Sequence, residues 1–170
     1  GGQNTALGTY ALISNTTASS NTGVGYQAGY SNTTGIQNTF VGYQSAYNNT
    51  TGVQNATLGN GSLNANSTGN YNTALGFQAL QANTTASNNT AVGYQAGYSN
   101  TTGTGLAFLG RLAGQANTTG TDNTALGYNS FYSNQTGSQN TAVGSGVLFN
   151  STAGQNTGVG YAALNSTTSG

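Results

Sequence analysis

The sequence predicts an all-β fold, a parallel β-solenoid (β-roll) of ten 17-residue rungs with two short strands in each rung. Three observations carry that prediction. First, the phrase Asn-Thr-Ala-(Leu or Val)-Gly or a near variant starts at Asn4, Asn21, Asn38, Asn55, Asn72, Asn89, Leu106, Asn123, Asn140 and Asn156, with intervals of 17 residues eight times and 16 once. A fixed short period means one small unit copied and stacked. Second, 17 residues are too few for two packed helices, and Gly and Asn at fixed places break helices in any case. Third, the aliphatic residues are phased and the net charge is zero, which separates this chain from polar low-complexity disorder. Residues 1–170 therefore read as a single repeat domain.

Each rung is numbered here from its Asn. Positions 2 to 6, as in Thr90-Ala91-Val92-Gly93-Tyr94, have the composition of one short strand. Position 4 is aliphatic in every copy: Leu7, Val24, Val41, Leu58, Leu75, Val92, Leu109, Leu126, Val143 and Val159. These ten read as one continuous inward ladder, so that an Asp at Leu75 is expected to place an unpaired charge in a thin apolar core. Alternation then turns positions 3 and 5 outward as a flat Ala/Gly strip open to another chain, interrupted by Phe40 and Phe108. Position 6 is usually aromatic and position 8 stays small, and the Gln-Ala-Gly-Tyr stretch around them reads as the second strand. The rung closes on Asn-Thr-Thr-Gly or a relative of it, a turn signal. Stacked at about 4.8 Å per rung, ten rungs make a rod on the order of 48 Å long.

Asn stands at position 1 in nine copies of ten. Stacked Asn side chains can bond rung to rung and satisfy turn backbone. The alternative is that Asn tolerates a left-handed turn conformation. Both readings are structural.

Composition excludes most chemistry. Arg111 is the only cation and Asp122 the only acid; His, Cys, Lys, Glu, Met, Trp and Pro are absent. Disulfides, thiolate nucleophiles and ordinary zinc sites are therefore ruled out. General acid–base catalysis has only Asp122 to draw on, and one Arg cannot neutralise a run of phosphates. No catalytic residue, metal ligand or cofactor is expected, and neither nucleic acid nor a membrane span is expected as a partner surface. The lack of Met implies a processed or excised part of something longer, and the neutral Asn/Thr/Gly surface suits an extracellular setting.

Four features bear on function. Sequons recur at position 12, at Asn15, Asn32, Asn49, Asn66, Asn83, Asn100, Asn117 and Asn134, and slightly early at Asn150 and Asn165. They fall where an exposed turn is expected and are N-glycosylation candidates; Thr-Thr clusters offer O-linkage instead. Tyr26, Tyr43, Tyr94 and Tyr128 form one aromatic column, and Tyr30, Tyr47, Tyr98 and Tyr132 another, suited to ladder packing or to stacking on sugars. Arg111 and Asp122 share a rung and read as a weak surface ion pair. Regular Thr columns suggest ice binding as a minor alternative, opposed by an Ala/Gly flat face and a decorated turn.

The run from Asn4-Thr5-Ala6-Leu7-Gly8 to Asn156-Thr157-Gly158-Val159-Gly160 resembles the head repeats of trimeric autotransporter adhesins, and similar strings occur in phage tail-fibre shafts. That resemblance covers essentially the whole chain and implies a left-handed β-roll, often trimeric, displayed outside the cell. The longer Asn-Thr-Thr-Gly closure departs from the family, and no stalk or anchor is present in these residues. The expected function is a structural subunit of a self-assembling extracellular fibre, glycosylated, whose partners are copies of itself end to end or side by side. The alternative is an adhesive head or tail-fibre segment that binds surface glycans.

Overall fold

The computed structural model describes residues 1–166. Ten three-residue strands form one all-parallel sheet in strict chain order: β1 (Thr5–Leu7), β2 (Thr22–Val24), β3 (Thr39–Val41), β4 (Ala56–Leu58), β5 (Thr73–Leu75), β6 (Thr90–Val92), β7 (Ala107–Leu109), β8 (Thr124–Leu126), β9 (Thr141–Val143) and β10 (Thr157–Val159). Register is in phase throughout, Thr5 facing Thr22 and Leu7 facing Val24, so each repeat is one rung of a β-solenoid. The single 16-residue interval leaves β9 and β10 in phase, Thr157 facing Thr141. The missing residue is absorbed in the closing turn of that rung.

Each rung has one strand, not two. The second predicted strand fails because positions 7 and 9 take left-handed backbone: φ is 55° at Gln27, 50° at Gln44, 52° at Leu63 and 50° at Leu80. A strand cannot pass through such residues. Hydrogen bonding still runs around the perimeter, as in Leu63 N–H to Ala79 C=O (2.9 Å) and Asn48 N–H to Asn64 C=O (3.0 Å). The backbone's polar groups are thus paired between rungs even where it is not extended.

The inward ladder is position 3, not position 4. Ala74, Ala91, Ala125 and Ala142 are fully buried, and so are Phe40 and Phe108, which fill the core instead of interrupting an outer strip. Position 4 faces out: Leu7 is 67% exposed, Leu58 55%, Leu126 46% and Val159 69%. The other members, Val24, Val41, Leu75, Val92, Leu109 and Val143, are half-buried or exposed. The physical reason is volume. The interior also receives position 8 (Ala28, Ala79, Ala96) and position 9 (Leu12, Leu63, Leu80), and position 9 supplies the bulk expected of position 4. Where position 3 is Phe, position 9 shrinks: a Cβ on Gly114 would lie 2.4 Å from Phe108, and one on Gly29 would lie 2.5 Å from Phe40. An Asp at Leu75 therefore meets solvent rather than core.

Position 5 is not an open strip either. Its φ lies between 117° and 142°, and each Gly packs on the Gly of the next rung; a Cβ on Gly25 would sit 2.5 Å from the Gly42 carbonyl oxygen. Only Gly fits there.

Candidate functional site: the sheet face and the aromatic columns

The interior between the strand and the closing turn is polar, and two Asn columns fill it. At position 1, Oδ1 accepts the backbone N–H that opens the next rung, as in Asn38 N–H to Asn21 (2.9 Å), and Nδ2 from Asn4 to Asn123 donates to the position 15 carbonyl, as in Asn38 to Gly52 (2.8 Å). In the last two rungs Asn140 and Asn156 donate instead to the preceding Asn Oδ1 and to the Ser138 and Gly154 carbonyls. At position 12, Nδ2 donates to the same position 15 carbonyl and to the Oδ1 of the preceding Asn: Asn66 reaches Gly69 at 3.0 Å and Asn49 at 2.7 Å. The Asn ladder expected at position 1 exists, and a second one lies beside it. Leu106 takes the position 1 place in one rung, buried, with its N–H still donated to Asn89 Oδ1.

This placement corrects the sequon reading. Asn32, Asn49, Asn66, Asn83, Asn100, Asn117 and Asn134 are fully buried, so the turn's exposed side does not carry them. An Nδ2 already donating inside the rod is neither accessible nor free, and Asn15 makes the same bond to Ala18. Of the ten candidates only Asn150 and Asn165 are exposed, and the sequon of Asn165 ends at Thr167, outside the described residues. What the turn exposes is position 14: Thr17, Thr34, Thr51, Thr68, Thr85, Thr102, Thr119 and Thr136 all face solvent. Position 13 beside it is tied down, since Thr33 Oγ1 donates to Thr50 C=O (3.1 Å) and Thr84 Oγ1 to Thr101 C=O (3.1 Å).

Two surfaces remain. The first is the outer face of the sheet, where exposed or half-buried Thr at position 2 and the aliphatic column at position 4 form two parallel rows. The second is aromatic. Tyr26 stacks on Tyr43 with centroids 5.3 Å apart and Phe77 on Tyr94 at 5.4 Å; in the position 10 column Tyr30 stacks on Tyr47 and Tyr132 on Phe149, both at 4.9 Å. Ladder packing thus occurs in both columns, the position 6 rings being exposed and the position 10 rings half-buried. Gln side chains at position 7 add an amide ladder, Gln44 Nε2 donating to Gln27 Oε1 at 2.8 Å.

Arg111 occupies position 6 and goes to aromatic faces instead of to Asp122. Its Cζ lies 5.9 Å from the Tyr94 ring centre and 5.2 Å from that of Tyr128. Such contacts are worth about 0.5–1 kcal/mol at exposed sites. Asp122 is exposed at the last position of the rung, with φ 55°.

No known protein family, no curated protein and no solved structure matches the chain. Among the described residues no group of His, Cys, Asp or Glu is placed to hold a metal ion, and no helix is long and apolar enough to cross a membrane.

The sequence contained a signal for the inward face. Two Phe residues at position 3, with Gly at position 9 of the same or an adjacent rung, are a volume compensation that only a packed interior requires.

Proposed function

We propose that the chain is a structural subunit of a self-assembling extracellular fibre, and that rods associate side by side through the sheet face. The observation that supports this reading is the aliphatic column at position 4: it runs the length of an otherwise neutral, polar rod on its outer face, exposed at Leu7, Leu58, Leu109, Leu126 and Val159 and half-buried between them. Contiguous exposed apolar surface of that kind is typical of association sites. A face repeated identically every 4.8 Å or so offers another copy the same contact in every rung. The expected lateral surface is therefore Thr/Leu/Val, in place of Ala/Gly. The resemblance to trimeric adhesin heads and tail-fibre shafts agrees with lateral association of a few copies, and an adhesive role for the same rod is the alternative.

The triple variant Leu58→Lys, Val92→Lys and Leu126→Lys tests this. Its side chains point outward, so the far-ultraviolet circular dichroism should match the parent. Sedimentation should show loss of the assembled species, by tenfold or more in apparent association constant. Assembly equal to the parent's would remove the face from consideration.

A second reading rests on the same face. Regular rows of Thr hydroxyls and aliphatic methyls on a flat sheet form an ordered array against which an ice surface can lie, and the Ala/Gly objection no longer holds. Thermal hysteresis from unassembled parent rods, abolished in the triple variant, would favour ice binding over fibre formation.

Sugar on this rod belongs at exposed positions. Peptide mapping of the native protein should find Asn32 and Asn100 unmodified, with any mass added above 16.9 kDa confined to exposed residues, among them Asn150, Asn165, the exposed sequons at Asn48, Asn60 and Asn88, and the position 14 Thr column. Glycan on Asn66 or Asn83 would contradict the burial described above.

A further inference from the structure

We propose that the position 6 column contains a binding slot for a single pyranose ring, between Tyr128 and Tyr161. The slot uses none of the sheet-face residues, so it stands or falls independently of the fibre reading.

The argument starts from the column itself. Position 6 carries Tyr94, Arg111, Tyr128, Ser145 and Tyr161 in its last five rungs. At Arg111 the gap between two rings is filled by the chain's own guanidinium, held 5.9 Å and 5.2 Å from the two ring centres. One step on, Ser145 is too short to fill the equivalent gap. A cavity of about 270 Å³ opens there, lined by Tyr128, Asn129, Ser145, Gly146, Phe149 and Tyr161, among others. Its floor is bare: a Cβ on Gly146 would meet nothing within 4 Å. Other rungs place Gln at this position, as at Gln78 and Gln95, so the Gly removes a side chain that would crowd the gap.

Two rungs separate the flanking rings, about 9.6 Å at the usual strand spacing. A partner stacked on an aromatic face sits about 4.5–7 Å from the ring centre. One saturated ring with C–H groups on both faces fits between two aromatics at that separation.

The polar groups choose among ring ligands. Asn129 Oδ1 is buried with no hydrogen-bond partner, an unusual condition in a rod whose other interior amides are nearly all paired. Ser145 also lines the cavity. A carboxamide and a hydroxyl each donate and accept, as sugar hydroxyls do. Among the described residues no carboxylate lines the slot, and since Arg111 needs none between its two rings, methylguanidinium is the competitor that the test must include. Tyr161 is 88% exposed, which leaves its ring face open to a ligand arriving from solvent.

The test is a nitrogen-15 NMR titration of the full chain with methyl β-D-glucopyranoside and methyl β-D-galactopyranoside, with methylguanidinium in parallel. At least one pyranoside should shift the amides of Asn129, Gly146 and Ala162 with millimolar affinity. Ser145→Tyr, which restores the aromatic found at Tyr128 and Tyr161, should weaken that binding at least tenfold with circular dichroism unchanged. If that variant misfolds, Tyr161→Ala replaces it, since its exposed ring can be removed without opening the core. The proposal is overturned by no pyranoside shift at tens of millimolar, by shifts spread equally over the Tyr26 and Tyr43 region, by binding of methylguanidinium alone, or by unchanged affinity in the filled or truncated slot.

Discussion

Asn66→Asp is expected to cost roughly 3–5 kcal/mol at neutral pH, the usual effect of an uncompensated buried charge. The substitution is nearly isosteric, so packing is not the cause. Asn66 Nδ2 donates to Asn49 Oδ1 at 2.7 Å and to Gly69 C=O at 3.0 Å. A carboxylate there sets oxygen against oxygen twice, at a site with no solvent access. Burial without a counter-charge raises the folded-state pKa of the new carboxyl above its unfolded value, near 3.9. The folded state then binds more protons, so the charge penalty is absent below about pH 4, where only the loss of one of the two donors remains, and it grows as pH rises toward the folded pKa. With no His, Glu, Cys or Lys in the chain, little else titrates between pH 4 and 8. Thermal melts across that range should show the variant approaching the parent on acidification and falling away by about 10 °C at pH 7. A pH-independent difference would mean that the Asn column is not closed to water.

Gly76→Ala is expected to cost about 3 kcal/mol or more and to uncouple the rungs on either side of it. The added Cβ would lie 2.4 Å from the Gly93 carbonyl oxygen and 2.7 Å from its carbon, at a φ of 136° that a side chain disfavours. Relief by movement is not available, because Gly93 N–H is bonded to Leu75 C=O and Gly76 N–H to Leu58 C=O, both at 2.8 Å. Gly146→Ala is the control. Its φ is also positive, at 67°, but the Cβ meets nothing within 4 Å. That variant should lose only about 1 kcal/mol, the backbone part of the effect. Equal losses in denaturant titrations of the two would show that contact between Gly residues of adjacent rungs contributes nothing.

Period, rung count and parallel stacking were legible because identical residues at identical phase leave few alternatives to a solenoid. The inward face was not. Alternation along Thr-Ala-Leu-Gly allows either Ala or Leu to point in, and hydrophobicity alone favours Leu75 over Ala74. The outcome is decided by side chains outside the strand: Leu63 and Leu80 enter the core from left-handed positions that carry no sequence signature, since Leu is not a residue associated with positive φ. The same blindness affected the sequons. Asn32 followed by Thr34 satisfies a surface motif, yet its amide serves the interior, and nothing local distinguishes a decorated Asn from a structural one. For the slot, the substitution pattern was readable, with Ser145 and Gly146 interrupting an aromatic column. The unpaired Asn129 oxygen was not, because pairing is a property of the folded rod.

The Asn column at position 12 gives the rod a direction. From Asn32 to Asn117, each Nδ2 points to the Oδ1 of the preceding rung, and the Gln pairs at Gln44 and Gln95 point the same way. Peptide groups within a strand alternate and largely cancel along this axis, but in the turns the N–H groups at positions 9, 11 and 13 donate to the next rung, as in Leu63 to Ala79, Ala65 to Gln81 and Thr50 to Ser67, so the turn backbone and the Thr hydroxyls at position 13 oppose the column. The amides add, each polarising the next. A molecule with almost no formal charge thus contains a directed row of side-chain dipoles set against its turn backbone; the row stops at Asn117, whose Oδ1 has no partner. The balance between the two sets whether the rod as a whole carries a dipole. Alignment of dilute rods in an electric field would measure that polarity directly.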